Sequence, residues 1–429
     1  MMATPLVQVK EILEGNHTGK HVTVQGWVYR KRTSKEVVFL LIRDATGIIQ
    51  CIVKQDSPAW TEAGRVTMES SLELSGTVER DKRAPGGYEL STDKLEIVGL
   101  AETFPITKDQ SKEFLRDVRH LWLRSQRMTK IMKVRSEVLK STHEFLRKQE
   151  YVEVSPPMFI SSACEGGATL FGLKYFDNDL YLTQSAQLHL EALIYSLMKV
   201  YCIAPSFRAE KSRTIRHLTE YWHVEAEAAF ATIDDMMRLE EGLVSHVCQR
   251  VAGDCEEELE ALEVDKQSLL NIAPPFARIT YDDAIKGLHE KGFKIKWGED
   301  FGFNEERALS KELGPVFVYD YPKEIKAFYC KTHPKNPKLA MSVDLIVPNI
   351  GELTTGGARV DDKEELITRL KEFGLKEEDY EWYIDLRRYG TVPHAGFGLG
   401  IERLLAWMLD LDSVMDAIPF PRTIRRFYP

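Results

Sequence analysis

The chain has 429 residues, more than one ordinary core accommodates, so two or three domains are expected. With 43% hydrophobic and 29% charged residues it reads as a globular protein, and no uncharged apolar run is long enough to span a membrane. A net charge of −9 argues against nonspecific coating of nucleic acid but leaves room for a local basic patch.

The N-terminal MMATPLVQVKEIL shows no signal-peptide pattern, which makes the cytoplasm the expected compartment. The six cysteines are scattered, with no CxxC pair and no neighbouring His cluster. Neither a zinc site nor a disulfide framework is expected; small buried hydrophobes are.

The first hundred residues read as β. HVTVQGWVY, VVFLLIR, GIIQCIV, SLELSGTVE and YELSTDKLEIVG are short strand-like runs separated by turn signals such as DATG and APGG. Five strands at this spacing predict a small closed barrel of the oligonucleotide-binding (OB) type. The cluster YRKRTSK follows the first run and is either a solvated hairpin tip or a phosphate contact. A polar, irregular stretch comes next and reads as a linker.

From Met128 an apolar stripe through Ile131, Val134, Val138, Leu139, Phe145 and Leu146 predicts a helix, stopped at YVEVSPP by Pro156 and Pro157. Beyond it, strand-like runs (LYLTQSA, KVYCIAPSFRAE, YWHVEAEAAF, VFVYDYP, MSVDLIV, GFGLG) mix with helical ones (DDMMRLEEGLVSHVCQRVA, the ELEALEV region, EELITRLKEFG, ERLLAWMLDL) without βαβ alternation. The expected class is α+β, with a mostly antiparallel sheet flanked by helices.

The run HLTEYWHVEAEAAF poses the chemical question. Its alternation puts His223, Glu225 and Glu227 on one strand face, and like charges on a covered face are costly. Either this is an edge strand with a wet face, or the sheet floors a polar site. Arginines also recur at strand positions: Arg208 in SFRAE, Arg359 in GGARV and Arg403 in GLGIER. A guanidinium cannot shed its charge, so each needs an anion, whether a nearby Glu or a ligand. In GFGLGIER the alternating Gly396, Gly398 and Gly400 strip one strand face of side chains, which suits a ligand lying against the backbone. No GxxxxGK[ST] loop is present.

Taken together, the helix ending in YVEVSPP, the run FRAE–loop–RHLTEYWHVEAE and the run GFGLGIER resemble, in this order, the three signature motifs of class II aminoacyl-tRNA synthetases. The barrel is similar to the anticodon-binding domain of their aspartyl/asparaginyl/lysyl subgroup. The resemblance implies an OB-fold domain over 1–104, a hinge over 105–127 and a catalytic domain over 128–429. It also implies ATP as a substrate, Mg2+ as cofactor, a tRNA partner and a homodimer formed through the helix and strand around 128–157.

Residue by residue, the resemblance gives Arg208 the α-phosphate of ATP, and His217 and Arg403 the γ-phosphate end. Arg208 and Arg403 are thereby the expected catalytic residues. Tyr221 and the strand bearing Gly398 and Gly400 would sandwich adenine, with Glu210 toward its amino group. Glu352 and Asp344 look like the carboxylates for magnesium. In SSACEGGATLF, which looks like the subgroup's mobile loop, Glu165 would take the substrate ammonium group; Gln187 would lie beside the substrate backbone. In the barrel, Phe39 resembles the aromatic on which an anticodon base stacks, while Arg30, Arg32, Gln50 and Glu89 match anticodon-contacting positions.

The amino acid follows from one swap. Aspartyl enzymes place a lysine three residues after the glutamine; here the residue is Leu190. Without that lysine, Glu225 would face the substrate unpaired, accept a hydrogen bond from an amide NH2 and repel a carboxylate, while Arg359 holds the amide oxygen. The resemblance therefore implies asparagine and tRNA(Asn). The alternative is aspartate, by a discriminating or non-discriminating aspartyl enzyme. A paralogue without aminoacylation is disfavoured because Arg208, Glu352 and Arg403 are all present. An asparagine-synthesising relative is disfavoured by the presence of the barrel.

Overall fold

A computed structural model describes residues 4–165, 169–211 and 216–429. The chain divides into two units between Arg116 and Asp117. Gly166–Ala168 of the expected mobile loop, and residues 212–215 between FRAE and RHLTE, lie outside the described residues.

In the first unit, strands β1 (His21–Thr33), β2 (Val37–Arg43), β3 (Ile48–Lys54), β4 (Ser71–Arg80) and β5 (Tyr88–Gly99) close a barrel in the order β1-β2-β3-β5-β4. The runs alternate as a barrel requires. Val38, Leu40 and Ile42 point inward and are 1% exposed or less, while the residues between them are half-buried on the outside. The helix Trp60–Arg65, between β3 and β4, has no counterpart in the sequence reading.

The expected hinge is not irregular throughout. Arg119–Trp122 forms a short helix, and the long helix begins at Gln126, capped by the Ser125 side chain. Arg119 is 1% exposed and donates to the carbonyls of Pro419, Met415 and Ile418 at 2.7–3.1 Å. This backbone capture ties the segment from residue 119 to the second unit.

The second unit carries an eight-stranded sheet. In chain order its strands, with those of a small accessory sheet, are β6 (Val152–Glu153), β7 (Phe159–Ile160), β8 (Gly172–Tyr175), β9 (Asn178–Leu182), β10 (Lys199–Phe207), β11 (Glu220–Ala229), β12 (Ala277–Thr280), β13 (Val316–Pro322), β14 (Leu339–Val347), β15 (Gly351–Ala358) and β16 (His394–Gly400). The large sheet runs β12-β13-β14-β15-β16-β11-β10-β6; β7-β9-β8 form the accessory sheet. Only the terminal pairs β12–β13 and β10–β6 are parallel, so the sheet is mostly antiparallel as expected. Helices Ile233–Asp254, Lys363–Glu372 and Ile401–Met408 match the predicted runs within two residues at each end except the last, which stops three residues short, at Met408.

All six cysteines are free and buried. Among the described residues no helix is long and apolar enough to cross a membrane.

Candidate active site

β11 lies inside the sheet, hydrogen-bonded to β10 on one side and β16 on the other, which removes the edge-strand reading. Its alternation sends Val224, Ala226 and Ala228 into the core, while Tyr221, His223, Glu225 and Glu227 line a cavity of about 270 Å³. The sheet is the floor of a polar site.

At one end of this cavity lie the residues expected to hold a nucleotide. Arg208 follows the last residue of β10, its guanidinium carbon 5.6 Å from the Tyr221 ring centre. It forms no ion pair with any described residue, and its buried Nε has no partner. Arg403 sits in the first turn of the helix Ile401–Met408 and donates from Nη1 to the Glu352 carboxylate at 3.0 Å and to the Glu352 carbonyl at 2.9 Å. Burial would raise Glu352, but Arg403, Lys326 and Arg208 outweigh it and lower its pKa. His217 lies 3.8 Å from Glu210; burial, then Arg403, lowers the imidazole's pKa. Glu210 and Gly400 also line this cavity.

Asp344 departs from the expectation. It does not line the cavity; on β14 it is 3% exposed and pairs through Oδ2 with Lys326 Nζ at 2.6 Å. Its Oδ1 is buried without a partner. Lys326, which the sequence reading passed over, is the cavity-lining member of that pair.

At the other end, Glu165 accepts from the Tyr329 hydroxyl at 2.7 Å, and Gln187 starts the helix Gln187–Leu197. Glu225 lies here too, but it is not unpaired. Its carboxylate accepts from the Ser185 hydroxyl and, at 2.8 Å, from the Ala186 N–H, with His223 Nδ1 3.6 Å away. These donors stand at the N-terminus of the helix that begins at Gln187, where unpaired N–H groups and the helix dipole favour an anion.

Leu190 does not reach the cavity. It is fully buried with Ala186, Ile194, Val200 and Cys202, because the spacing of four puts positions 186, 190 and 194 on the helix face packed on β10. The electrostatic role given to its substitution for lysine therefore passes to groups that touch Glu225 directly.

Arg359 likewise has a protein partner. Its Nε and Nη2 donate to Glu227 Oε1 at 3.0 and 2.5 Å, both residues 3% exposed or less. Burial raises Glu227 while Arg359 opposes that shift. The role of Glu227, unassigned from sequence, is to neutralise Arg359. The two strand carboxylates are thus tolerated because each has its own cationic or N–H partner.

The glycine strand also has a different reason for being bare. A Cβ on Gly396 would sit on the Glu227 carboxylate, and one on Gly398 would lie 2.5 Å from His223 Nε2. Side chains from the neighbouring β11 lean over β16 at Gly396 and Gly398. Gly398 and Gly400 nonetheless line the cavity, and a Cβ on Gly400 would meet nothing nearer than the Arg403 stem at 3.9 Å.

In the barrel, register brings the predicted residues to one outer face: Arg32 opposes Phe39, Arg30 opposes Leu41, Leu41 opposes Gln50, and Gln50 opposes Glu89. Phe39 alternates with Val38 and Leu40 and stands outside the barrel core. Gln50 donates to Glu89 at 2.9 Å. Arg30 and Arg32 are exposed and form no ion pair with any described residue; Lys31, between them, turns the other way and donates to the carbonyls of Gly64 and Val66 at 2.7 and 2.8 Å.

Residues 22–98 match the family model described as "OB-fold nucleic acid binding domain", and residues 111–424 match "tRNA synthetases class II (D, K and N)". The chain is 51% identical to an asparagine–tRNA ligase of Thermococcus kodakarensis over 416 residues, 96% of each chain. Its fold superposes with a TM-score of 0.96 on asparaginyl-tRNA synthetase from Pyrococcus horikoshii complexed with asparaginyl-adenylate, at 46% identity and over the whole of both chains. The Entamoeba histolytica asparaginyl-tRNA synthetase in complex with asparaginyl-adenylate is similar over the whole of both chains, with a TM-score of 0.90 and 32% identity. With three-quarters of its length matched by the synthetase model and the barrel by the other, the chain belongs to the class II tRNA synthetases of the D, K and N group.

Proposed function

We propose that the protein is an asparagine–tRNA ligase: it joins asparagine to ATP, releasing pyrophosphate, and transfers the asparaginyl group from the adenylate to the 3′ end of tRNA(Asn). One observation carries the choice of amino acid. Among the described residues, Arg359 is the cavity-lining arginine beside Glu225 and Glu227; it is already neutralised by Glu227, while Glu225 adds a further negative charge. A neutral amide fits that balance; a second carboxylate would meet Glu225 without a free cation to offset it.

In this reading Glu165 takes the ammonium group, Gln187 lies beside the substrate backbone, and the substrate carboxylate attacks the α-phosphorus beside Arg208. No general base is needed, since the attacking carboxylate is already ionised. Arg208 stabilises the charge that builds on the phosphate oxygens, and His217 and Arg403 hold the departing pyrophosphate. Tyr221 and the strand bearing Gly398 and Gly400 take the adenine, with Glu210 toward its amino group.

Magnesium fits the acidic wall in its donor chemistry. Glu352 lines the cavity and carboxylate oxygens are hard donors; Asp344 stands behind the lining, held by Lys326 through one oxygen with the other buried and unpartnered. Among the described residues no three such groups could hold a metal. When bound it would neutralise phosphate charge.

The same reading makes 1–104 the anticodon-binding domain, 105–127 the hinge and 128–429 the catalytic domain, working in the cytoplasm as a homodimer joined around 128–157. Pyrophosphate exchange with asparagine and aspartate in parallel tests the activity: strong exchange with asparagine is expected, and exchange with aspartate alone would overturn the reading. Glu225→Gln is expected to reduce the preference for asparagine over aspartate at least tenfold while leaving the KM for ATP within twofold.

Anticodon binding is checked separately. Phe39→Ala is expected to weaken tRNA binding by about 1–3 kcal/mol, the range for losing one base–aromatic stack. Pyrophosphate exchange should be unchanged; filter binding and exchange on the same preparation distinguish the two.

A further inference from the structure

Four side chains converge on one carboxylate behind the amino-acid end of the cavity. Glu191 lies one turn after Gln187 on the helix Gln187–Leu197 and is fully buried. Its Oε2 accepts from Arg387 Nη2 at 2.6 Å, from the Tyr383 hydroxyl at 2.6 Å and from His394 Nε2 at 2.9 Å. The remaining donors are anchored on backbone: Arg387 Nε on the Val360 carbonyl and His394 Nδ1 on the Val392 carbonyl, each at 2.8 Å. Burial alone would raise Glu191, but Arg387 and His394 outweigh it and hold the carboxyl far below the usual range. Glu191 is therefore a permanent acceptor.

Its other oxygen, Oε1, takes the Gln187 side-chain amide at 3.0 Å. An amide has a donor end and an acceptor end, and an ionised carboxylate can receive only the donor. The Gln187 NH2 is thus committed to Glu191, and the carbonyl oxygen points the other way. Gln187 lines the cavity, and that oxygen bonds to no described residue.

We propose that Glu191 is a positioning residue that locks the Gln187 amide with its carbonyl oxygen toward the substrate's α-ammonium group. The proposal rests on the amino-acid-activating reading of this cavity and adds a residue that never touches the substrate. The ammonium then meets two acceptors, the Glu165 carboxylate and the Gln187 carbonyl. A glutamine at 191 could donate as well as accept, and would leave the Gln187 amide free to turn.

The test compares the parent with Glu191→Gln in pyrophosphate exchange, using two competitive inhibitors. Asparaginol keeps the ammonium group and lacks the carboxylate; succinamic acid keeps the amide and carboxylate and lacks the ammonium group. The variant should show at least a tenfold higher KM for asparagine and at least tenfold weaker inhibition by asparaginol. Inhibition by succinamic acid and the KM for ATP should stay within twofold. Equal weakening of both inhibitors, or of neither, overturns the proposal. Should Glu191→Gln fail to fold, the double replacement Glu191→Met with Arg387→Met substitutes an apolar pair for the buried ions, and the same split is expected. A parent without asparagine exchange overturns the activity reading and the proposal together; a parent that exchanges beside an unselective variant overturns only the role of Glu191.

Discussion

Replacing Arg208 with alanine is expected to lower kcat for asparagine-dependent pyrophosphate exchange by roughly 10²–10³-fold, the effect of removing one preorganised donor from a developing oxyanion. The expectation comes from the state of the guanidinium. It is half-buried beside Tyr221, has no ion-pair partner among the described residues, and its Nε is buried and unbonded. Burial disfavours this cation, the nearby carboxylates of Glu165, Glu210 and Glu352 offset that, and none of them forms an ion pair with it, which leaves its donors for a substrate anion. Two further readouts follow. The thermal midpoint should fall by no more than about 2 °C, because Arg208 loses a ring contact with Tyr221 but no ion pair with any described residue, and the KM for asparagine should stay within about threefold, because Arg208 acts at the phosphate. A loss of activity below tenfold would remove Arg208 from the reaction.

Glu227→Ala should act in the opposite way, chiefly on stability. It strands Arg359, 3% exposed, without the carboxylate that receives both its Nε and Nη2. Removing one partner of a buried pair costs about 3–5 kcal/mol, since the remaining charge stays desolvated. The unfolding midpoint of the second unit should drop by roughly 10 °C, read by differential scanning calorimetry. Replacing both residues by methionine should recover most of that loss, because an apolar pair leaves no buried charge behind. If the single variant melts with the parent, Glu227 does not neutralise a buried Arg359.

The barrel was legible because its runs alternate with a period of two and are punctuated by turn residues, so that β2 was predicted at its observed limits, Val37–Arg43. By contrast, β15 was invisible as a strand: GELTTGGA has glycines where strands usually carry branched side chains, and only its neighbours β14 and β16 give it order. In the site, the nucleotide end was readable because its residues come in short motifs with fixed spacing. The partnerships were not. Arg359 and Glu227 are 132 positions apart, and Glu191 meets Arg387 and His394 across 196 and 203. No local pattern reports such pairings. Leu190 shows the converse: the missing lysine implied an unpaired Glu225, whereas Ser185 and the Ala186 N–H partner it, and helical periodicity places Leu190 with Ala186 and Ile194 in the core.

The bareness of β16 has a consequence for how this pocket can be altered. Gly396 and Gly398 are glycines because Glu227 and His223 occupy the space a methyl group would take. Residues 227 and 396, and likewise 223 and 398, therefore behave as single units of variation split across two strands. A side chain introduced at 396 is harmful beside glutamate but tolerable beside a small residue at 227, so the sign of its effect depends on its neighbour. Libraries that randomise β11 alone, or β16 alone, would explore only the uphill edges of this landscape; paired randomisation across the two strands opens the routes by which the pocket could be remodelled for a different amino acid.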